Sequence, residues 1–440
     1  TLSRWRASVR IRSGSPFKYM INYKYDVIIV GGGLAGLAAA KTLEKFGKEI
    51  LIIEKEKHIG GKLQTKSKLG FNLDYGFQVL LTGYEQTSQI LNFEKLSLKY
   101  FDNGALVWDG KKFNSISDPT RNIKTIIESF QSPIGTLQDK LRILLLKYEL
   151  YWKKSNDILI QNDYETISYF NKKKFSKKFI SSFLKPFFSG ILLDESLKSP
   201  HTFTKYLFKT FSKSTTALPA NGIQAIPEEL ASSISYKKIL KNTKVKKINR
   251  NSIILKNGEE IFCKQVICAT DNNSAKIISP TNHINNFKYF GCITHYFSID
   301  NLKNGLGQQE DTKKIILNGS NNGSINNVAI ISNIAKTYAP KNKNLLAVTS
   351  LDMNSNSNQI RNELMQWFNI KKDEISHIES IKIKNALPKL KEINNKNIEV
   401  DKNGIIYCGD YLLHPSIEGA ISSGISAGNQ ANEAILDYRQ

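Results

Sequence analysis

The feature that most constrains the fold of this chain is a glycine-rich turn between a short apolar run and an alanine-rich stretch. Residues 25–30 are largely apolar and β-branched, which is typical of a parallel strand buried on both faces. Gly31, Gly33 and Gly36 follow in the pattern G-x-G-x-x-G, and a helix is predicted over 34–46. In this pattern the first glycine permits a tight turn, the second lets the backbone approach a pyrophosphate, and the third lets the helix pack on the strand. The helix N-terminus then presents free N–H groups to the phosphates.

An acidic residue completes this unit. A second strand is predicted at 49–53 and ends at Glu54, 23 residues after Gly31, where a carboxylate accepts hydrogen bonds from a ribose diol. A carboxylate there repels a 2′-phosphate, so NADP is disfavoured. A glycine turn without a ligand explains neither Glu54 nor its register, and we therefore predict dinucleotide binding by a Rossmann-like α/β domain. Neighbouring candidate contacts are Leu34, Ala35 and Lys55. The unit alone does not distinguish NAD from FAD.

A second glycine pair makes that distinction by resemblance. The stretch Gly-Gly-Lys-Leu-Gln-Thr at 60–65 resembles a segment of the flavin amine oxidase and phytoene desaturase superfamily, which usually reads G-G-Arg-x-x-Thr. The resemblance is closest to the phytoene desaturase-like oxidoreductases, and it implies that Gly61 and Lys62 line the ribose and pyrophosphate of FAD. Lysine keeps the positive charge of the family's arginine but lacks its planar fork.

Two further segments resemble the same family. In the stretch LDYGFQVL, Asp74, Gly76 and Gln78 match a segment that lies near the flavin. Residues 217–231 resemble the family's P-x-G-G-M-x-x-x-P stretch, and short strands follow them. The first of these strands passes the adenine in the family, which implies a backbone contact at Val245.

The C-terminal part of the chain, residues 405–432, resembles the closing motif of the family. A strand is predicted to end at Gly409 and Asp410, and the resemblance implies that Asp410 bonds the ribitol or pyrophosphate. A helix follows, and the backbone N–H groups around Gly419 and Ala420 are expected to face the flavin ring. A helix N-terminus at that place stabilises negative charge on a reduced flavin.

The resemblance implies an α/β fold in which a Rossmann-like FAD-binding domain is combined with a discontinuous, mixed α+β substrate domain. In the substrate domain, the clearest amphipathic helix is predicted within 136–155. We predict the following division: a basic, disordered N-terminal tail at 1–21, an FAD-binding domain at 22–84, 217–275 and 396–440, and a substrate domain at 85–216 and 276–395.

The flavin is expected to carry the chemistry, so few catalytic side chains are needed. The catalytic residues are not identified by the sequence; Tyr411 and His414 are candidates because they precede the closing helix, and a structural role in the loop is the alternative for each. We predict an FAD-dependent oxidoreductase that transfers a hydride from a C–H bond of a largely apolar substrate to flavin N5. The alternatives are an amine oxidase, a protoporphyrinogen oxidase, a redox-neutral carotene isomerase and a non-enzymatic, FAD-stabilised scaffold.

The formal net charge of +23 is partly concentrated in the arginine-rich N-terminus. This tail is either an organelle transit segment, which would place the protein in an organelle such as a plastid, or sequence foreign to the protein, since Met20 would make a natural start. Without a transit segment, a cytoplasmic or membrane-peripheral location is expected. No RNA-binding signature or zinc-finger spacing is found, so nucleic acid is not an expected partner. No apolar run approaches the ~18 residues of a membrane-spanning helix.

Residues 170–193 interleave phenylalanines with lysines. As a functional feature, this segment would be an interfacial helix on an anionic membrane, with lysines near the headgroups and aromatic rings in the bilayer. The alternative is an amphipathic helix whose phenylalanines belong to the core. The phenylalanines are Phe170, Phe175, Phe179, Phe183, Phe187 and Phe188.

The four cysteines form no C-x-x-C pair and are expected to be reduced structural thiols in a reducing compartment. The six histidines are scattered along the chain, and no metal site is predicted.

Overall fold

A computed structural model describes residues 24–117, 132–234, 238–279, 287–300, 311–393 and 400–437. The basic tail predicted at 1–21 lies outside these residues. The strands are β1 (Tyr25–Val30), β2 (Ile50–Ile53), β3 (Thr65–Lys68), β4 (Phe71–Asp74), β5 (Leu80–Leu81), β6 (Lys99–Tyr100), β7 (Ala105–Trp108), β8 (Phe113–Ile116), β9 (Thr216–Leu218), β10 (Lys238–Leu240), β11 (Val245–Ile248), β12 (Ser252–Leu255), β13 (Glu260–Cys268), β14 (Tyr289–Ile299), β15 (Ile315–Asn318), β16 (Asn327–Ile330), β17 (Asn344–Ser350), β18 (Ile375–Pro388) and β19 (Ile405–Tyr407).

The helices alternate with these strands and are concentrated in the first insertion. They are α1 (Leu34–Glu44), α2 (Glu85–Ile90), α3 (Leu137–Tyr151), α4 (Ser155–Leu159), α5 (Thr166–Lys172), α6 (Lys177–Phe179), α7 (Lys185–Leu192), α8 (His201–Lys213), α9 (Ala225–Ser232), α10 (Asn272–Ile278), α11 (Ile331–Ile334), α12 (Ser357–Phe368) and α13 (Ile417–Asp437). A π-helical segment, Ile180–Leu184, joins α6 to α7, and short 3₁₀ turns occupy Lys336–Tyr338 and Lys372–Glu374.

The first large sheet contains the predicted Rossmann unit. Strands β10, β2, β1, β13 and β19 are parallel and adjacent in that order, while β12 and β11 extend the sheet as antiparallel strands beside the first part of β13. The apolar residues of β1 and β2 are buried, as expected for parallel strands with both faces covered. The predicted α/β fold class is confirmed.

Helices α1 and α13 pack against each other over this sheet at very short range. A Cβ atom built at Gly424 would lie 2.1 Å from the Ala35 carbonyl oxygen, and one built at Gly428 would lie 2.9 Å from that of Ala39. The small residues of the C-terminal helix are therefore needed for packing against the helix that follows the glycine turn.

The second large sheet has the order β18-β14-β17-β16-β15-β7-β8, and only the β15–β7 pair is parallel. Its strands come from the two insertions, 85–216 and 276–395, whereas those of the first sheet come from 22–84, 217–275 and 396–440. A three-stranded sheet, β5-β9-β6, lies at the junction and joins strands from both sets.

Among the described helices, none is both long enough and apolar enough to cross a membrane. All four cysteines are buried, and none of them is in a disulfide. Within the described residues, no cluster of three or more His, Cys, Asp or Glu side chains could hold a metal ion.

Candidate active site

The three glycines of the first turn occupy three different environments. Gly31 has a φ of +114°, and a Cβ atom there would lie 2.6 Å from the Ala269 carbonyl oxygen. At Gly36 a Cβ atom would lie 2.0 Å from the carbonyl oxygen of Gly31, so α1 can approach β1 only without a side chain at this position. At Gly33, by contrast, the nearest atom to an added Cβ is 3.9 Å away. An added Cβ at Gly33 would therefore make only an ordinary van der Waals contact with Gly61 Cα, and the backbone of Gly33 lines a cavity in which a ligand can approach it.

The second glycine pair lies directly against the first turn. Gly60 N donates to the carbonyl oxygen of Gly32 at 2.8 Å, and a Cβ atom built at Gly61 would lie 3.3 Å from Gly33 Cα. The two turns form a floor without side chains, and no side chain caps the N-terminus of α1. This concave backbone surface beside a helix N-terminus fits a pyrophosphate.

Glu54 stands at the end of β2 and lines the same cavity. Its buried carboxylate accepts hydrogen bonds from Gly32 N at 2.7 Å and from Glu56 N at 2.9 Å. A carboxylate has about four acceptor positions, so this fixed group can also accept hydrogen bonds from a ribose diol.

Replacing Glu54 by Gln is expected to lower the affinity for FAD about ten-fold or more, because a hydrogen bond to a charged group contributes about 1.5–3 kcal/mol. Equilibrium dialysis against free FAD measures the change. Glu49→Gln, at an exposed position outside the cavity, is the matched control. Equal affinities of the Glu54→Gln variant and the control would contradict the ribose assignment.

An ion pair connects the second glycine turn to the C-terminal motif. Lys62 Nζ lies 2.7 Å from Asp410 Oδ2, and both residues line the cavity. Gln78 Nε2 donates to the Lys62 carbonyl oxygen at 3.1 Å. This ion pair lies beside the glycine floor and joins residues that are 348 positions apart in the chain.

Asp74 is placed differently, because it is buried beneath the site rather than lining the cavity. Its carboxylate accepts hydrogen bonds from Thr65 Oγ1 (2.6 Å), Ile223 N (3.0 Å) and Tyr338 Oη (2.9 Å). Burial raises its pKa to about 6. Asp74 thus holds together three parts of the chain that surround the site.

The N-terminus of α13 differs in detail from the expectation. Gly419 N donates to Ser416 Oγ at 3.0 Å, and Ala420 N donates to the Ser416 carbonyl oxygen at 3.0 Å. These two N–H groups are therefore used within the helix start, because Ser416 caps it. Ala420 lines the cavity together with Ser416 and Ile417, whereas Gly419 does not. A Cβ atom at Gly419 would instead lie 2.0 Å from the His414 carbonyl oxygen.

His414 does not line the cavity. Its ring packs on Phe203 and Tyr206, and its Nδ1 lies 2.9 Å from Ser416 Oγ. Burial lowers its pKa to about 4, so the imidazole is neutral at pH 7. The contacts of His414 are those of a residue that supports the helix start.

Tyr411 does line the cavity, and it is buried. Its Oη has no hydrogen-bond partner among the described residues, and burial raises its pKa well above the usual value. Tyr411 therefore stays protonated and presents a neutral hydroxyl.

Most of the sequence-derived candidates line one cavity. Gly36 and Gly419 are the two cofactor candidates that do not, and both are needed for close backbone packing. The cavity-lining candidates are Gly31, Gly33, Leu34, Ala35, Glu54, Lys55, Gly61, Lys62, Gln78, Val245, Gly409, Asp410 and Ala420.

The same cavity, of about 1070 Å³, continues from the glycine floor into an apolar chamber. Its wall is formed by α3, by the π-helical segment with its neighbours, and by α8. Phe179, Phe183 and Phe187 stand in a row with ring centroids 5.4 Å and 5.8 Å apart, and Phe187 also contacts Phe211. A π-helical insertion is frequently found at functional sites, and here it carries Phe183.

This packing corrects the interpretation of 170–193 as a segment whose aromatic rings enter a bilayer. Phe170, Phe175, Phe179 and Phe188 are buried, while Phe183 and Phe187 are partly buried and line the cavity. The rings therefore face the interior of the protein, as the alternative interpretation predicted.

Several residues of the site were not identified from the sequence. Glu418 is buried and accepts hydrogen bonds from Gln86 N, Thr87 N and Thr87 Oγ1, so it joins the start of α13 to α2. The apolar wall contributed by α8 was also missed. Its closely spaced aromatic residues were an available signal, but they do not by themselves distinguish a cavity wall from a core.

A comparison with protein families matches residues 34–432 to the family described as flavin containing amine oxidoreductase. Among similar proteins, protoporphyrinogen oxidase 2 of Arabidopsis thaliana is 24% identical over 260 residues, which cover 51% of this chain and 51% of that protein. A 4,4'-diapolycopene oxygenase of Methylomonas sp is 34% identical over 99 residues, which cover 20% of each. The matched segments thus span about half the length of the first relative and a fifth of the second.

The fold is also similar to that of a solved structure. Putrescine oxidase bound to putrescine has a TM-score of 0.68 and 15% sequence identity, and the match covers 94% of this chain and 99% of that one. At this identity the similarity shows the fold alone.

Proposed function

Because the chain belongs to the family of flavin-containing amine oxidoreductases, we propose that it is an FAD-dependent oxidoreductase that oxidises a C–H bond of a largely apolar substrate. The observation that carries this proposal is the continuity of the cavity, which joins the glycine floor to a chamber walled by phenylalanines. When bound, FAD supplies the chemistry by accepting a hydride from the substrate.

The residues of this chain bind, orient and exclude water. The backbone floor at Gly33 and Gly61 receives the pyrophosphate, with Lys62 as a nearby positive charge, and Glu54 receives the ribose. At the far end, the capped N-terminus of α13 provides a positive dipole. The phenylalanine wall keeps water from the reacting C–H bond and selects for apolar groups.

The diapolycopene oxygenase similarity supports a polyene or related isoprenoid as the apolar substrate. A second candidate is a porphyrinogen, as in the similarity to protoporphyrinogen oxidase. One observation favours it: Lys140 and Lys147, on one face of α3, line the apolar chamber. Lys140 Nζ also donates to the Ser132 carbonyl oxygen at 2.7 Å. Two cations in a largely apolar wall suit a substrate that carries carboxylates.

The test is an anaerobic measurement of flavin absorbance with the purified, FAD-loaded protein. We expect bleaching by a polyene such as phytoene, and no bleaching by simple amines. Bleaching by a porphyrinogen alone would establish the second candidate. An intact, FAD-loaded protein that is reduced by none of the three classes would overturn the proposed function.

Introducing a charge into the chamber is expected to separate substrate binding from cofactor binding. Phe187→Glu places a carboxylate against Phe183 and Phe211, where burying it without a partner is unfavourable. We expect flavin reduction by an apolar substrate to slow about ten-fold or more, since an added polar group disfavours apolar contacts by several kcal/mol. Flavin content should stay unchanged.

Phe187→Leu is the control for this variant, because it keeps the chamber apolar. Stopped-flow absorbance measures reduction, and the flavin-to-protein ratio measures binding. Equal reduction rates for the Glu and Leu variants would show that the substrate does not pass through this chamber.

A further inference from the structure

Helix α3 presents an apolar stripe to solvent. Four exposed apolar residues of α3 and the residue that follows its end are spaced by four, four, three and four, so they form one continuous line. Their exposure ranges from 48% at Leu141 to 74% at Trp152. The stripe consists of Leu137, Leu141, Leu145, Tyr148 and Trp152. Tyr151, which is 47% exposed, lies beside this line. A run of exposed apolar side chains on one helix face is unusual for a protein surface that meets only water.

The other faces of the same helix are already occupied. Leu146 and Leu150 are buried in the core, and Ile143 and Leu144 line the apolar chamber. Since successive helical residues are turned by about 100°, the chamber face lies about 110°, or nearly a third of a turn, from the stripe. Helix α3 is therefore a wall between the chamber and whatever contacts the stripe.

Residues 136–154 carry five cations against two carboxylates, so the net charge beside the stripe is positive. The cations are Lys140 and Lys147 on the chamber side, Arg142 at 3.7 Å from Asp139 Oδ1, and Lys153 and Lys154 after the end of the helix. Asp139 and Glu149 are the two acidic residues of α3, and both are engaged: Asp139 bonds Thr136 and Ser176, and Glu149 pairs with Lys153 and Lys173. Tyr148 and Trp152 have the mixed apolar and polar character of residues at a lipid–water boundary. This combination of apolar stripe, boundary aromatics and surrounding cations complements an anionic bilayer surface.

We propose that the apolar stripe of α3 docks on the surface of an anionic lipid bilayer. The helix lies in the plane of the interface, with its stripe among the headgroups and acyl chains. This inference goes beyond the proposed function and does not depend on the reaction catalysed. It also differs from the interpretation of the lysine-rich segment 170–193, whose rings face inward. Docking at α3 brings the chamber wall next to the lipid, where an apolar substrate is dissolved.

The experiment measures binding of the FAD-loaded protein to sedimenting vesicles of phosphatidylcholine, with and without phosphatidylglycerol. The test variant carries Leu141→Gln, Leu145→Gln and Trp152→Gln. Its matched control carries Phe46→Gln, Leu69→Gln and Leu436→Gln, at positions that are 45–76% exposed on other parts of the surface. We expect the affinity of the stripe variant for anionic vesicles to fall about ten-fold or more. The physical reason is that three apolar side chains are no longer transferred from water into the bilayer. The control should bind like the parent.

A fluorescence measurement tests the contact directly. Brominated lipids should quench the fluorescence of the parent protein on binding, and Trp152→Phe should remove this quenching while vesicle binding persists. Of the other three tryptophans, Trp108 and Trp367 are buried and stacked on each other, so they contribute little. Trp5, which lies outside the described residues, is replaced by Phe in every protein of this measurement. Quenching that persists in Trp152→Phe would place a different surface on the bilayer.

Three further outcomes would overturn the proposal. Equal binding by the stripe and control variants would show that α3 is not the docking surface. Binding that is indifferent to phosphatidylglycerol would exclude an anionic surface as the partner. If the parent protein does not bind vesicles and is a dimer, whereas the stripe variant is a monomer, the stripe binds a second copy of this chain. Unchanged circular dichroism and flavin content establish that the variants are folded.

Discussion

Gly33→Val is expected to yield a folded protein that is colourless, with affinity for FAD reduced about 100-fold or more. Gly33 has an ordinary extended backbone, with φ −79° and ψ 180°, so valine introduces no backbone strain there. The nearest atom to an added Cβ is 3.9 Å away. The new side chain therefore occupies the space above the glycine floor that receives the pyrophosphate. A 100-fold loss of affinity corresponds to about 3 kcal/mol of binding free energy.

The matched comparison is Gly36→Val, which should fail for a different reason. There the added Cβ would lie 2.0 Å from the Gly31 carbonyl oxygen, so α1 cannot keep its position on β1. The flavin-to-protein absorbance ratio and the thermal midpoint separate the two variants. A Gly33→Val protein that retains stoichiometric FAD would show that the pyrophosphate does not lie on this floor.

Asp74→Ala is expected to lower the free energy of unfolding by about 3–5 kcal/mol at pH 7, because breaking a buried network leaves donors without partners. The donors that lose their acceptor are the Thr65 hydroxyl, the Ile223 N–H and the Tyr338 hydroxyl. Urea unfolding measures the change. Since Asp74 does not line the cavity, we expect FAD to bind with near-normal affinity below the unfolding transition.

Asp74→Asn is the control, because its amide keeps one acceptor oxygen and can donate to Tyr338. It also isolates the effect of charge. The folded pKa of about 6 lies above the ordinary value of 3.8, so the folded state holds the proton more tightly than the unfolded state. The parent should therefore lose stability relative to Asp74→Asn as pH rises from 4 to 6, by up to about 3 kcal/mol. A constant difference between the two proteins over this range would contradict the raised pKa.

The parts of the site that could be predicted from the sequence are mostly local. Gly31, Gly33, Gly36 and Glu54 lie within one short unit whose geometry is fixed by its own backbone, so their spacing was sufficient. The proximity of Lys62 and Asp410 could be inferred only through the family resemblance, because no local pattern connects residues so far apart.

The apolar residues were harder to assign. A sequence shows that Phe183 or Leu145 is apolar, but a core, a ligand chamber and a lipid surface all favour the same side chain. The segment containing Phe183 was considered for a bilayer and faces a chamber. The amphipathic helix containing Leu145 buries one apolar face and leaves a second apolar stripe exposed. Tertiary packing decides these orientations, and a helical period does not encode them.

The roles of the residues at the start of α13 depend on single hydrogen bonds that a sequence motif does not specify. The motif placed Gly419 and Ala420 at a helix start, as observed. Ser416 caps that start and uses their N–H groups, and His414 supports it from below. Which N–H groups remain available is decided by one serine side chain, which the resemblance did not specify.

The interleaved order of the first sheet has a consequence for the synthesis of the protein. Strand β1 pairs with β13, β13 pairs with β19, and α1 packs on α13, whose last residue, Asp437, lies 384 residues after the end of β2. At a translation rate of about 5–20 residues per second, roughly 20–80 seconds pass between the synthesis of the N-terminal glycine turn and that of the end of α13. We therefore expect cofactor loading to be a late event, because Gly409, Asp410 and Ala420 of the cavity are synthesised last. A chain truncated before β19 would leave one edge of β13 unpaired, open to aggregation and proteolysis.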